Sequence, residues 1–152
     1  MNTVGDPVVL EALVARLRQL EPASVRRWGS LTPQEMLCNL GDAAAMVLRT
    51  RPRTQQIAGR SRPFFKAIAL WSPIRWPHGR RTSPMNDPRA DGTRPTLFAQ
   101  DLDRALAGLR GIASASSTTL ESVHGLFGTM SLADWQRWAY KHTDHHLRQF
   151  GL

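Results

Sequence analysis

Apolar residues recur at helical spacing in four stretches of the chain, and nowhere do they alternate as they would in a half-buried strand. Leu10, Leu13, Val14, Leu17 and Leu20 follow Asp6-Pro7, an N-cap with a first-turn proline, and predict a helix over about 6–20. Thr32-Pro33-Gln34-Glu35 joins a capping box to a proline at the first helical position. With the stripe Met36, Leu40, Ala43, Met46 and Val47 it predicts a second helix over about 33–49. Phe98, Leu102, Ala105, Leu106, Leu109 and Ile112 predict a third over about 97–115, although Gly108 and Gly111 each cost about 1 kcal/mol relative to Ala. Ser131, with Asp134 three residues on, starts a fourth over about 132–149, and Gly151 stands where a terminating glycine belongs. Four amphipathic helices bury their stripes most simply against one another. The expected fold is therefore all-α, a four-helix bundle forming one domain over 1–152.

Between the second and third helices lies a crossover over 50–95, long enough to traverse the bundle and let those two helices run parallel. Pro52, Pro63, Pro73, Pro77, Pro84 and Pro88 exclude one continuous helix there. Phe64, Phe65, Ile68, Leu70 and Trp71 form an apolar patch inside it, expected to be a small helix packed over one end of the bundle.

Composition narrows the function classes. With 152 residues, 41% hydrophobic and 21% charged, the chain suits one core and is neither a disordered tail nor a membrane protein. Its longest unbroken apolar run, Ala43 to Leu48, is far short of the roughly 18 residues of a spanning helix, so no membrane partner is expected. The opening MNTVGD lacks the cationic start and apolar stretch of a signal peptide, and Cys38 is the lone cysteine. A cytoplasmic location is the resulting expectation. The 20 Lys and Arg against 12 Asp and Glu give a net charge of +8, which superficially suggests nucleic acid. The excess is local: Arg49 to Arg94 holds 11 basic residues against Asp87 and Asp91, or +9. No nucleic-acid reader motif accompanies it, so a solvated basic surface is the preferred reading and a basic nucleic-acid-binding module its rival.

The fourth helix carries the chemistry. With His142 at zero on a helical wheel, Trp135, Trp138, Ala139, His145, His146 and Gln149 fall within about 60° of it, while Arg137, Tyr140, Asp144, Leu147 and Arg148 fall on the far side. Neutral histidines on a core stripe need partners, and a metal ion is one. His142 and His146 stand at i and i+4, the spacing at which two imidazoles on one helical face converge on a single ion; a structural or surface pair is the alternative. Gln149, and less directly Asp144, are placed to orient a ligating ring, and His145 to support it. His124, in a Gly-rich loop, suits a structural hydrogen bond, and Trp71 and Trp76 suit a pocket mouth or simple burial.

The segment HGLFGTMSLADWQRWAYKHTDHHLRQFG from His124 resembles the C-terminal signature of a branch of the DinB-like, or damage-inducible, superfamily. The resemblance continues at Trp28-Gly29-Ser30-Leu31-Thr32-Pro33-Gln34-Glu35-Met36-Leu37-Cys38 and more loosely at Trp76-Pro77 and Thr82. It implies a four-helix bundle with a long crossover and a divalent transition metal, Zn or Ni, bound by one histidine on the second helix and an H-x-x-x-H pair on the fourth. It further implies a transferase or hydrolase acting on a small molecule with a low-molecular-weight thiol, and a homodimer. The pair carries over to His142 and His146, but Asn39 stands at the position of the third histidine. An amide oxygen is a poorer Zn²⁺ ligand than imidazole. Glu35 and Asp42, at i−4 and i+3 from Asn39, are candidate carboxylate replacements; otherwise Glu35 closes the capping box and Asp42 is solvated. Cys38 projects about 100° from Asn39 and fits the core as a small hydrophobe. The alternative to an enzyme is a non-enzymatic protein in which the histidines form a buried polar network or bind a small ligand without chemistry.

Overall fold

The computed structural model describes residues 1–51, 63–79 and 82–152; the rest of the predicted crossover, 52–62 with Pro52 and 80–81, lies outside the described residues. The described chain is mainly helical. It runs through α1 (Pro7–Leu17), α2 (Pro33–Val47), α3 (Pro63–Lys66) continuing into a π-helical turn at Ala67–Trp71, a 3-10 turn at Pro84–Asn86, α4 (Phe98–Ser114) and α5 (Leu132–Gln149). Strands β1 (Val123–His124) and β2 (Gly128–Thr129) pair antiparallel just before α5. The sequence pattern predicts no strand, because two residues per strand are too few for alternation to register. No described helix is long and apolar enough to cross a membrane.

The caps form as their sequences dictate. Asp6 accepts from the Val8 and Val9 amides, and Thr32 with Glu35 and Ser131 with Asp134 close reciprocal capping boxes on α2 and α5. The helix C-termini fall earlier than periodicity suggests. α1 stops at Leu17, while Leu20 is buried from the turn that follows, so the apolar period outlasts the helix. α2 stops at Val47, two residues before Arg49 enters the left-handed region with φ of 61°.

The main helix pairing is between α2 and α4. Its contacts rise together along both chains: Gln34 with Asp101, Gly41 with Arg104, Ala44 with Gly108, Leu48 with Gly111. The two helices therefore run parallel, as the long crossover permits. The glycines that weaken α4 as an isolated helix are what let it approach: a Cβ on Gly108 would lie 2.5 Å from the Ala44 Cβ. α1 runs alongside α5 in the same sense, with the Val4 amide donating to the Gln136 carbonyl and Arg16 paired to Asp144. Leu13, Leu17, Met36, Leu37, Val47, Leu109, Ile112 and Trp135 sit in the shared core.

Two expectations need correction. The crossover forms the expected small helix, but of its apolar residues only Leu70 is fully buried; Phe64 is exposed, Phe65, Ile68 and Trp71 are partly so, with Phe65 stacked on Phe127 and Trp71 Nε1 donating to Asp134. The segment instead lies along α5, held by its backbone. Lys141 Nζ donates to the carbonyls of Ala69, Ser72 and Ile74 at 2.8, 3.0 and 2.9 Å, and Arg137 Nε donates to that of Leu70 at 2.6 Å. For the same reason the far side of α5 is not a solvent face. Arg137 and Leu147 are buried, since the crossover and the N-terminal strand of chain, through Asn2, cover Arg137.

Candidate metal centre

The α5 capping box fixes where the helix starts, and the burial of Trp135 and Trp138 fixes its rotation, so His142, His145 and His146 face into the protein. The Nε2 atoms of His142 and His146 lie 3.1 Å apart. Gln149 Oε1 stands 2.7 Å from His146 Nδ1, which makes Nδ1 the donor and leaves the Nε2 lone pair directed at His142. Trp138 stacks on the His142 ring, with centroids 4.7 Å apart, and Trp76 packs beside both His142 and His145.

Burial keeps these imidazoles neutral. Desolvation, reinforced by the neighbouring His146, pulls His142 well below its ordinary range, and desolvation lowers His145 and His146 to about 4. Neutral rings with an unprotonated nitrogen are the form that binds a metal. Bonds of about 2.0–2.1 Å to a tetrahedral ion set two ligand nitrogens roughly 3.3 Å apart, so the observed separation suits a shared proton or a shared ion with almost no rearrangement.

Asn39 stands where the resemblance implies a third histidine. Asn39 is buried, its Nδ2 donates to the Asn86 carbonyl at 2.7 Å, and its Oδ1 has no hydrogen-bond partner among the described residues. Asn39 hydrogen-bonds neither imidazole. A buried acceptor left empty costs about 1–3 kcal/mol. Glu35 and Asp42 are committed elsewhere. Glu35 closes the α2 capping box and pairs with Arg89, whose hydrogen bonds hold its carboxyl down at about 2. Asp42 is not solvated but fully buried. Burial pushes its carboxyl up, and hydrogen bonds from Thr93, Arg104 and Arg51 outweigh this and hold it below the usual range. Cys38 is buried in the core, and desolvation pushes its thiol up to about 11, out of reach of thiolate chemistry at neutral pH. Among the described residues no group of three or more His, Cys, Asp or Glu side chains is arranged to hold a metal ion. The imidazole pair of His142 and His146 is the one hydrogen-bonded contact between candidate ligands that the described residues form.

Sequence reasoning missed the rest of the surroundings. Trp28 stacks on His78 at 3.8 Å and meets His145 edge-on at 4.7 Å, so the loop before α2 and the crossover both reach the third histidine. His145 Nδ1 and Ser83 Oγ are buried without a partner among the described residues. No periodicity marks His78 or Ser83, since both sit in irregular chain. His124 is placed as expected, with Nδ1 accepting from the Leu126 amide at 3.0 Å and its ring against Phe127, Trp135 and Trp138. Comparison with protein-family models, curated proteins and solved structures gives no match.

Proposed function

We propose that the chain is a DinB-like four-helix bundle, and that His142, His146 and Asn39 hold a divalent transition metal, Zn²⁺ or Ni²⁺, for a transferase or hydrolase reaction on a small molecule. The observation that carries this reading is the convergence of the two Nε2 atoms at 3.1 Å on neutral rings, one oriented by Gln149. The residue pattern YKHTDHHLRQFG and the parallel course of α2 and α4 support the bundle type. A bound ion would supply Lewis acidity and lower the pKa of a coordinated water or of a low-molecular-weight thiol.

The chain's own residues have distinct parts in this scheme. His142 and His146 present nitrogen lone pairs after a single tautomeric move of His142. Gln149 keeps the His146 proton on Nδ1. Asn39 offers a neutral oxygen, a weaker donor to these ions than an imidazole nitrogen and without the negative charge of a carboxylate, so the site binds its ion less tightly than one with either. Trp76 and Trp138 flank His142 and limit water access. The basic segment takes no part in the scheme, and three of its cations, Arg51, Lys66 and Arg89, are paired internally to Asp42, Asp134 and Glu35, which favours a structural use over a nucleic-acid arm.

A second reading is favoured by one observation: the two imidazoles already satisfy each other. In that reading the histidines are a buried polar network in a non-enzymatic protein. Equilibrium dialysis of untagged protein against Zn²⁺ and Ni²⁺ separates the two. The metal reading expects retained ion that disappears in both His142→Ala and His146→Ala. Absence of retained ion in the wild type leaves the polar network as the function of the pair.

A further inference from the structure

Lys141 stands next to His142 in α5, and its buried ammonium donates to the carbonyls of Ala69, Ser72 and Ile74. An ammonium has three protons, so this one is committed entirely to the backbone of the crossover. The last of its acceptors, Ile74, lies two residues before Trp76. The first is shared: the Trp76 indole Nε1 also donates to the Ala69 carbonyl, at 2.8 Å. Trp76 in turn packs beside His142 and His145, with ring centroids 6.3 and 6.1 Å away. A chain of contacts therefore runs from Lys141 through the Ala69 carbonyl and the Trp76 indole to the imidazole that follows Lys141 in sequence.

The segment depends on such a tether. A helical turn ends with carbonyls that lack intrahelical partners, and after Ala67–Trp71 it is Lys141 and Arg137 that supply them. Little apolar burial assists, since Leu70 is the one fully buried side chain there. The other side chains of α5 grip the segment further back: Asp134 accepts from Lys66 Nζ and Trp71 Nε1, and Arg137 Nε donates to the Leu70 carbonyl. Lys141 reaches furthest along it, to Ile74, and so has most control over where Trp76 lies. We propose that Lys141 is a positioning residue for the histidine site: its ammonium holds Trp76 over His142 and His145 and thereby sets how freely water and small molecules reach those rings. The role goes beyond the metal reading, because it is the same whether His142 and His146 share a proton or an ion.

Carbethoxylation of the full, metal-free chain by diethyl pyrocarbonate at neutral pH, localised by tandem mass spectrometry, reads the exposure of each histidine. In the wild type, His142 and His145 should react slowly. Trp76→Ala and Lys141→Met should each speed both by about tenfold or more: the first removes the cover, and the second keeps an apolar stem but loses the charged donor, which raises the population in which the segment lifts. Adding Lys141→Met to Trp76→Ala should bring little further gain, because the two act through one ring. His124 packs against Phe127, Trp135 and Trp138 and should keep its rate throughout. That comparison separates positioning from general loosening, which would release all three histidines together. Trp76→Phe covers the case in which Lys141→Met folds poorly: its ring cannot bond the Ala69 carbonyl, and it should speed His142 and His145 by about twofold or more. Unchanged rates at His142 and His145 in any of the single variants, additive gains in the double variant, or an equal gain at His124 overturns the proposal.

Discussion

His142 and His146 face each other across one turn of α5 with their Nε2 atoms 3.1 Å apart, and Gln149 fixes the far nitrogen of His146. The same three side chains can hold one proton or one metal ion between the rings. In the proposed metal reading the third donor is the amide of Asn39.

Asn39→His should therefore raise affinity for Zn²⁺ or Ni²⁺ by about tenfold or more, since an imidazole nitrogen is a better ligand than an amide oxygen. The new ring can keep the donation to the Asn86 carbonyl through Nδ1 and present Nε2 to the ion, as His146 does with Gln149. The thermal midpoint should climb with the logarithm of metal concentration, and His146→Ala should abolish the climb. A climb that survives loss of His146 means that Asn39 does not face the pair.

Metal-free protein should lose stability in mild acid. The unfolded chain protonates His145 and His146 near their ordinary 6.5, and the folded chain only near 4. Between those values the unfolded state binds more protons, so their contribution is fully present above pH 6.5 and falls as pH drops toward 4, by about 1.4 kcal/mol per pH unit for each histidine. Urea midpoints measured across that window should decline steeply, and His145→Gln should flatten the decline. A flat profile from pH 7 to pH 4 would show that these rings are solvated.

Gly108→Ala should destabilise, although helix propensity alone would give a gain of about 1 kcal/mol. The added methyl would stand 2.5 Å from the Ala44 Cβ, which is fixed to the α2 backbone and cannot swing aside. The net loss should be about 1–2 kcal/mol, read as a lower urea midpoint, and Ala44→Gly in the same chain should recover part of it.

Asp42→Asn removes the carboxylate on which Arg51, Arg104 and Thr93 converge. The cost should be about 2–3 kcal/mol, below the about 3–5 kcal/mol of a fully enclosed pair because both guanidiniums keep solvent contact. Chemical unfolding measures it. A change under about 0.5 kcal/mol would place the network among surface ion pairs.

The long helices were legible because their information is local. A cap such as Thr32 with Glu35 bonds within its own turn, and the stripes of α2 and α5 repeat at the period of the helix that buries them. For the same reason the pairing of His142 with His146 could be read from spacing: both belong to one helix, whose geometry sets their distance. What the sequence determined by itself was therefore the number of long helices, the inward turn of the face bearing Trp135, Trp138 and the histidines, and the contact between His142 and His146.

Only the tertiary structure decided the partners that come from remote chain. Asp42, read as a candidate carboxylate ligand or else as solvated, lies under Thr93 and Arg104, which are brought to it by the parallel pairing of α2 with α4. Gly108 and Gly111, read as local defects, prove to be points of contact with α2 because that pairing is close. Arg137 and Leu147, assigned by the wheel to the outer side of α5, are buried; the crossover and the N-terminal residues cover Arg137. Trp28, stacked on His78, meets His145, and both come from irregular segments that have no period to read. A helical repeat encodes which face turns inward, but the group waiting opposite that face depends on how distant segments pack, and packing free energy is summed over contacts that have no fixed spacing along the chain.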